Sequence, residues 1–268
     1  SLGLVGAEMC IRDRSRFKAY YRSEAWTWEL MALTGARVIV ASSVLARQLE
    51  MLIRESLCRV HSSGPLRAQV LAMRSKVWRE RIPSGLWDIK YNKGGLFDLE
   101  FLTQYLQLRN SSRDPSILDP NTSRALAKLS QSGFLEVSVS KELRDALDLF
   151  LQIQSITRIC ISGVFDEEAA TNGLREVLVR ACGAASFKDL KERLIRNQAL
   201  TYGHFVRLIG DYTLTEALVF LEKIVKENTP KAGIEWKGKS EELKETSSEL
   251  FIIFILALLT AYLVMCAT

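Results

Sequence analysis

The chain has 268 residues, 48% of them hydrophobic and 25% charged, with a net charge of +5. That is too apolar for a disordered chain, and it lacks the concentrated Lys/Arg run that nucleic-acid binding would need. The five cysteines are well separated and form no CxxC pair, which argues against a disulfide framework or a cysteine metal site and fits a reducing compartment.

Residues 1–14, SLGLVGAEMCIRDR, have no clear period and lack the charged start and cleavage site of a signal peptide. They are similar to translated adapter sequence and are read as a non-native leader. The spacing of apolar residues then predicts helices over 17–40, 44–60 and 66–81. In the first, Trp26, Leu30 and Leu33 share a face, with Arg37 in the middle of it. A buried guanidinium without a partner is costly, so Arg37 is expected to meet a carboxylate, either Glu29 on the border of that face or Asp98. Otherwise it lies at the helix end and reaches water. The second helix turns Leu45, Leu49, Leu52 and Ile53 inward. The third is basic along Arg67, Arg74 and Arg81, read as a solvated face, and Pro83-Ser84-Gly85 ends it.

The stretch 86–109, LWDIKYNKGGLFDLEFLTQYLQLR, is the centre of the chain. Trp87, Ile89 and Tyr91 alternate with Asp88, Lys90 and Asn92, which predicts a short extended segment. Gly94-Gly95 supplies a turn, and a helix follows. Leu99, Phe101, Leu102, Tyr105, Leu106 and Leu108 fall on one broad face, while Glu100, Thr103, Gln104 and Gln107 fall on the other. Asp98 breaks the pattern, landing within the apolar face at the helix start. It is either a cap for the first-turn N–H groups or an acid held in an apolar groove to meet a cation, a metal or a partner. Asp98 and Glu100 lie two apart and point to opposite sides, so they cannot act as a pair.

A loop with two prolines covers 111–120, and Asn121-Thr122-Ser123 starts a helix carrying Leu126, Leu129 and Phe134. Further helices are predicted over 141–161, 172–183 and 187–208. His204 has no metal-ligand companion at a useful spacing, and Cys58, Cys160 and Cys182 read as core. Residues 15–209 are therefore expected to form an all-α helical bundle with one short extended segment. Residues 211–246 read as a small helix-strand segment and 247–268 as a single hydrophobic helix. The run 250–268 contains no charged residue and approaches the length that crosses a hydrocarbon core of about 30 Å, so it is read as transmembrane-like and as a possible membrane contact.

The block WDIKYNKGGLFDLEFLTQYLQL resembles the "F-D-L-K-x-x-x-G-G-[LI]-x-D-I-E-F-x-x-Q-Y-L" block of the glutamine synthetase adenylyltransferases, two-headed enzymes that attach AMP to glutamine synthetase and remove it. Upstream, AYYRSEAWTWELMALTGARVI resembles "Y-x-x-x-A-W-T-W-E-H-Q-A-L-x-R-A-R-V". Downstream, DPNTSRALAKLSQSGFL resembles the family's "N-T-x-x-A-L-x-x-L-x-x-x-G" helix. The likeness covers about 17–208. It implies the helical domain that follows a nucleotidyltransferase fold, in a cytoplasmic parent that uses ATP and Mg2+, acts on glutamine synthetase and answers to the PII signal protein. It also implies a structural or nucleotide-domain-facing role for Trp26, Trp28, Glu29, Arg37, Asp88, Lys90, Gly94, Gly95, Asp98, Glu100 and Gln104. Leu30 stands where the family has His, and Gly35 where it has the first Arg of "R-A-R". The family's metal-holding "G-G-R-E-L…S-D-L-D-L" and "V-D-x-R-L-R-P-S-G" blocks are missing, as are a P-loop and a Ser/His/Asp arrangement. No catalytic or metal-binding residue is therefore expected, and this chain alone is expected to be inactive.

From Tyr212 onward, TLTEALVFLEKIVKENTPKAGIEWKGKSEELKETSSELFIIFILALLTAYLVM resembles a short segment of the resistance–nodulation–division efflux transporters. That implies a chimera joined near Gly210. The alternative function is a fragment of such a transporter.

Overall fold

The computed structural model describes residues 15–59, 63–161, 163 and 165–211. Its elements are α1 (15–23), α2 (Thr27–Thr34), α3 (Ser43–Leu57), α4 (Ser63–Glu80), α5 (Leu96–Asn110), a 3-10 turn (Pro115–Ile117), α6 (Thr122–Gln131), α7 (Val137–Cys160), α8 (Asn172–Ala181) and α9 (Phe187–Leu208). No strand occurs among the described residues, so the all-α expectation holds. The leader at 1–14, the segment expected at 211–246 beyond Asp211 and the apolar run 250–268 lie outside the described residues. Among the described residues no helix is long and apolar enough to cross a membrane.

Local chemistry sets most of the helix starts. The side chains of Ser42, Asn121, Thr171 and Ser186 accept the backbone N–H groups of Leu45, Arg124, Leu174 and Asp189 at 3.4, 3.0, 3.3 and 3.1 Å. Each satisfies an N–H that the first helical turn leaves without a partner. The expected helices at 172–183 and 187–208 follow from these caps.

Helix α5 is the axis of the bundle, with α2, α4, α6, α7 and α9 packed around it. It is buried on nearly every side. Leu99, Leu102 and Leu108 are wholly excluded from solvent, and so in effect are Thr103 and Gln107, which the apolar period assigned to a polar face. Thr103 reaches that state by donating its hydroxyl to the Leu99 carbonyl at 2.9 Å, and Gln107 by accepting the Asp119 N–H at 2.9 Å. Buried polar groups hydrogen-bonded in this way cost little, so a helix with polar residues can still be central.

Three expectations are corrected. The helix expected over 17–40 is two helices, broken at 24–26 and ended at Thr34. Glu29 causes the restart: its carboxylate accepts the Trp26 N–H at 2.9 Å and the Tyr20 hydroxyl at 2.6 Å, which fixes the first turn of α2. The extended segment at 86–92 is a succession of turns instead, closed by Asp88 N–H to Gly85 O and Asn92 N–H to Asp88 O. Among the cysteines read as core, Cys182 is buried, Cys58 half-buried and Cys160 exposed at the end of α7.

Candidate functional site

The turns at 85–95 bring most of the sequence-predicted residues to one junction, between the middles of α4 and α9 and the start of α5. Asp88 serves the turn itself, its carboxylate accepting the N–H groups of Tyr91 at 3.2 Å and Ser84 at 3.4 Å. The loop is then laced to the first turn of α5, since Ile89 O accepts the Leu96 N–H at 2.9 Å and Lys90 O the Phe97 N–H at 3.1 Å. Gly94 takes a positive φ of 70°, and a Cβ there would lie 1.7 Å from the Gln198 carbonyl oxygen of α9. Gly95 caps α5 in extended conformation; a Cβ there would lie 2.4 Å from Ile89 O. The pair of glycines therefore allows the loop to touch α9 and its own start at backbone distance.

Asp98 occupies the third position of α5 and is wholly buried. Its Oδ2 accepts the Gly94 N–H at 2.5 Å, and its Oδ1 meets Arg74 Nε at 2.5 Å. The cation reading of Asp98 is the one the structure supports; the cap reading is corrected, because Gly95 is the N-cap of α5 and the carboxylate accepts the Gly94 N–H of the preceding turn, not an N–H of the first helical turn. The expected partner is wrong, however. Arg37 lies beyond the end of α2 and is exposed, because the helix that would have carried it inward stops at Thr34. Arg74, read from sequence as part of a solvated stripe with Arg67 and Arg81, is the buried cation instead. It also donates Nη2 to Tyr91 O at 3.1 Å and lies 5.7 Å from the centre of the Trp78 ring.

On the opposite side Gln198 of α9 holds the same loop. Its Nε2 donates to Leu86 O at 3.1 Å, and its Oε1 accepts from Asn92 Nδ2 at 3.3 Å. Trp87 is buried against Phe165 and Phe187, with ring centres 4.9 and 5.3 Å away, and its indole N–H donates to Glu167 at 3.1 Å. Lys191 donates to the Glu167 carboxylate at 2.8 Å, and this hydrogen bond, with that from Trp87, holds the carboxyl below its ordinary range.

Lys90, Glu100 and Gln104 lie half-buried along one side of the junction. The Lys90 ammonium sits 5.1 Å from the Tyr91 ring centre and 5.4 Å from that of Phe97. Burial pushes the Glu100 carboxyl up, and Lys90 opposes it. Glu29 is consumed by the start of α2, while Trp26 and Trp28 are about half exposed, at 53% and 54%. Sequence reasoning missed Arg74 and Gln198. The polar residue types at apolar-flanked positions of α4 and α9 were the only signal for either.

The two aspartates of the junction are therefore occupied by the fold. Asp88 and Asp98 are taken up by backbone N–H groups and a guanidinium, and among the described residues no group of three or more His, Cys, Asp or Glu could hold a metal. His204 is instead paired with Glu142 at 2.7 Å, across α9 and α7.

Residues 67–158, which run from α4 through most of α7 and include the Arg74–Asp98 pair, match the family model described as GlnD PII-uridylyltransferase. The chain is also similar to bifunctional glutamine synthetase adenylyltransferase/adenylyl-removing enzymes. It is 38% identical over 194 residues to that of Rhodopseudomonas palustris, a match covering 72% of this chain and 20% of the relative. It is 37% identical over 183 residues to that of Bradyrhizobium diazoefficiens, covering 68% and 18%. For Caulobacter vibrioides the identity is 36% over 184 residues, covering 68% and 19%. The chain is thus homologous to a region of these enzymes and spans about a fifth of the length of the curated relatives it matches.

Proposed function

We propose that this chain is a helical module of a glutamine synthetase adenylyltransferase, and that it positions the nucleotide chemistry rather than performing it. One observation carries this reading. The residues that most resemble the adenylyltransferase block fold into a closed junction in which Asp88, Gly94, Gly95 and Asp98 serve turns, a close approach and an internal ion pair. Those are the duties of a rigid spacer. The names of the relatives support glutamine synthetase as the protein on which the parent acts. ATP and Mg2+ would be held by another part of that parent. Regulation by PII and a cytoplasmic location rest on the sequence resemblance alone. The transporter reading of the tail draws no support from the matches.

Two measurements test the proposal. The chain, incubated with glutamine synthetase and labelled Mg-ATP, should transfer no AMP; clear turnover would overturn it. Grafting residues 17–208 in place of the homologous region of the Rhodopseudomonas palustris enzyme should preserve transfer that deletion of that region abolishes. Loss of transfer in a graft that still folds would show that the module is not equivalent to the region it matches.

A further inference from the structure

Helix α1 and the end of α3 enclose a cavity of about 230 Å³ lined by Lys18, Arg22, Glu55, Ser56 and Arg59. Lys18 and Arg22 stand one turn apart on α1 and share a face. Glu55 lies in the last turn of α3, and Arg59 follows just beyond its end. Three cations therefore surround one carboxylate. Lys18 Nζ lies 3.2 Å from one Glu55 oxygen, and Arg22 Nη2 lies 3.8 Å from the other. Arg59 takes no part in that pairing. Its polar contact among the described residues is Nη1 donating to Tyr21 O at 2.6 Å. This bond crosses from α3 to α1 and fixes the half-buried guanidinium on the cavity wall, with most of its N–H groups still unused. The lining thus carries two positive charges more than its single acid balances. Surface ion pairs contribute little to stability, so stability does not explain three cations gathered here. Like charges in a concavity repel one another and focus a positive potential on the space between them.

We propose that this cavity binds a phosphate group in its dianionic form, held by Arg59 and Arg22 with Lys18 beside them. A dianion matches the surplus charge of the lining. Each guanidinium can offer two parallel N–H groups to two phosphate oxygens, and the ammonium adds a point charge. The cavity is smaller than the roughly 300–1,000 Å³ of pockets that enclose drug-sized ligands. It therefore encloses the phosphate group itself, whether as the free ion or as the end of a monoester. Glu55 keeps Lys18 and Arg22 facing the cavity, and it also opposes the anion. The inference goes beyond the proposed positioning role and requires nothing of the parent's activity.

The test follows backbone amide NMR of the full chain in dilute chloride buffer, slightly above neutral pH. The probes are inorganic phosphate, methyl phosphate and methyl sulfate, the last a monoanion of the same shape as methyl phosphate. Phosphate or methyl phosphate should give saturable shifts centred on residues 18–22 and 55–59. Methyl sulfate should bind at least about tenfold more weakly, and added chloride should weaken all three by screening. Tighter binding of inorganic phosphate assigns the free ion; equal or tighter binding of methyl phosphate assigns a monoester. Two variants carry the argument further. The Arg22 side chain is 67% exposed, so Arg22→Gln should leave the fold intact and weaken phosphate binding several-fold. Glu55→Gln removes the opposing acid and should tighten it, an effect that a merely structural ion pair would not produce. Shifts that do not saturate, shifts only elsewhere or an equal response to methyl sulfate would each overturn the proposal. So would unchanged or weaker phosphate binding in Glu55→Gln.

Discussion

Arg74 of α4 and Asp98 of α5 meet at 2.5 Å with both side chains wholly shielded from solvent. The other oxygen of the same carboxylate receives the Gly94 N–H, and the same guanidinium reaches Tyr91 O. Four groups that a buried loop would otherwise leave poorly satisfied are thus closed into one network. Together with Gln198 on the far side, the network fastens the 86–95 loop to α4, α5 and α9 at once. That is how a run of turns can sit at the centre of a helical protein, where an unsupported loop would bury unmatched backbone groups.

Removing one partner of such a pair strands a charge in the interior. Arg74→Met is therefore expected to destabilise the chain by about 3–5 kcal/mol, measured by denaturant unfolding, whereas loss of turn capping alone would cost about 1 kcal/mol. Asp98→Asn keeps the shape and removes the charge, so it should fall in the larger range. In the double variant the two losses should be strongly non-additive, giving a coupling of about 0.5–3 kcal/mol. Additive losses would mean that Asp98 acts on the turn alone.

Much of the bundle was legible because short-range chemistry decides it. Asn121 and Ser186 announce α6 and α9 through their own side chains, and the period of Leu190, Leu194 and Phe205 marks the buried face of α9. The site was legible in part. Trp87 and Ile89 are buried as their alternation suggested, but consecutive turns produce that alternation as readily as a strand does. Arg74 could not be read out. It shares a stripe with Arg67 and Arg81, both exposed, and only the loop folding over the middle of α4 makes one of the three an interior residue. Arg37 failed for the converse reason, since its helix ends three residues too early to carry it inward.

Asp119 gives the chain an acid-sensitive point. Burial pushes its carboxyl up, but hydrogen bonds from Arg124, the Asn121 N–H and Lys128 outweigh burial and leave it below the ordinary aspartate range. A carboxyl held low in the folded state contributes stability above its unfolded value, and that contribution is lost as pH falls through the folded value. Unfolding midpoints measured from neutral pH downward should thus decline through and below the ordinary aspartate range. The decline should be shallower in Asp119→Asn. Identical slopes for the two proteins would show that the Arg124 and Lys128 contacts do not hold in solution.

Trp26 and Trp28 place two large rings about half in solvent on and beside α2, while Leu30, Met31 and Leu33 do the packing. If the two tryptophans face a neighbouring part of a longer enzyme, their value lies outside this fold. Replacing both with serine removes rings that are about half exposed, so each change should cost the chain less than the roughly 3–5 kcal/mol of truncating a buried aromatic. In the homologous position of a full-length relative, the same change should weaken AMP transfer. A large loss of stability in the isolated chain would place these rings in its own core instead.

Gly94 and Gly133 separate backbone conformation from crowding. Both have positive φ, 70° and 75°, but a Cβ on Gly133 meets nothing within 4 Å, while one on Gly94 would lie 1.7 Å from the Gln198 carbonyl oxygen and 2.6 Å from its carbonyl carbon. Gly133→Ala therefore incurs only the left-handed penalty of about 1–2 kcal/mol. Gly94→Ala incurs that penalty and also drives the loop away from α9, since backbone atoms of a packed helix cannot yield as a flexible side chain can. The displacement would pull Asn92 and Leu86 from Gln198 and loosen the N–H that Asp98 accepts. The loss for Gly94→Ala should thus exceed that for Gly133→Ala by several kcal/mol, with faster amide exchange at 92–98 in any protein that still folds. Equal losses at the two positions would mean that the loop and α9 do not touch at backbone distance.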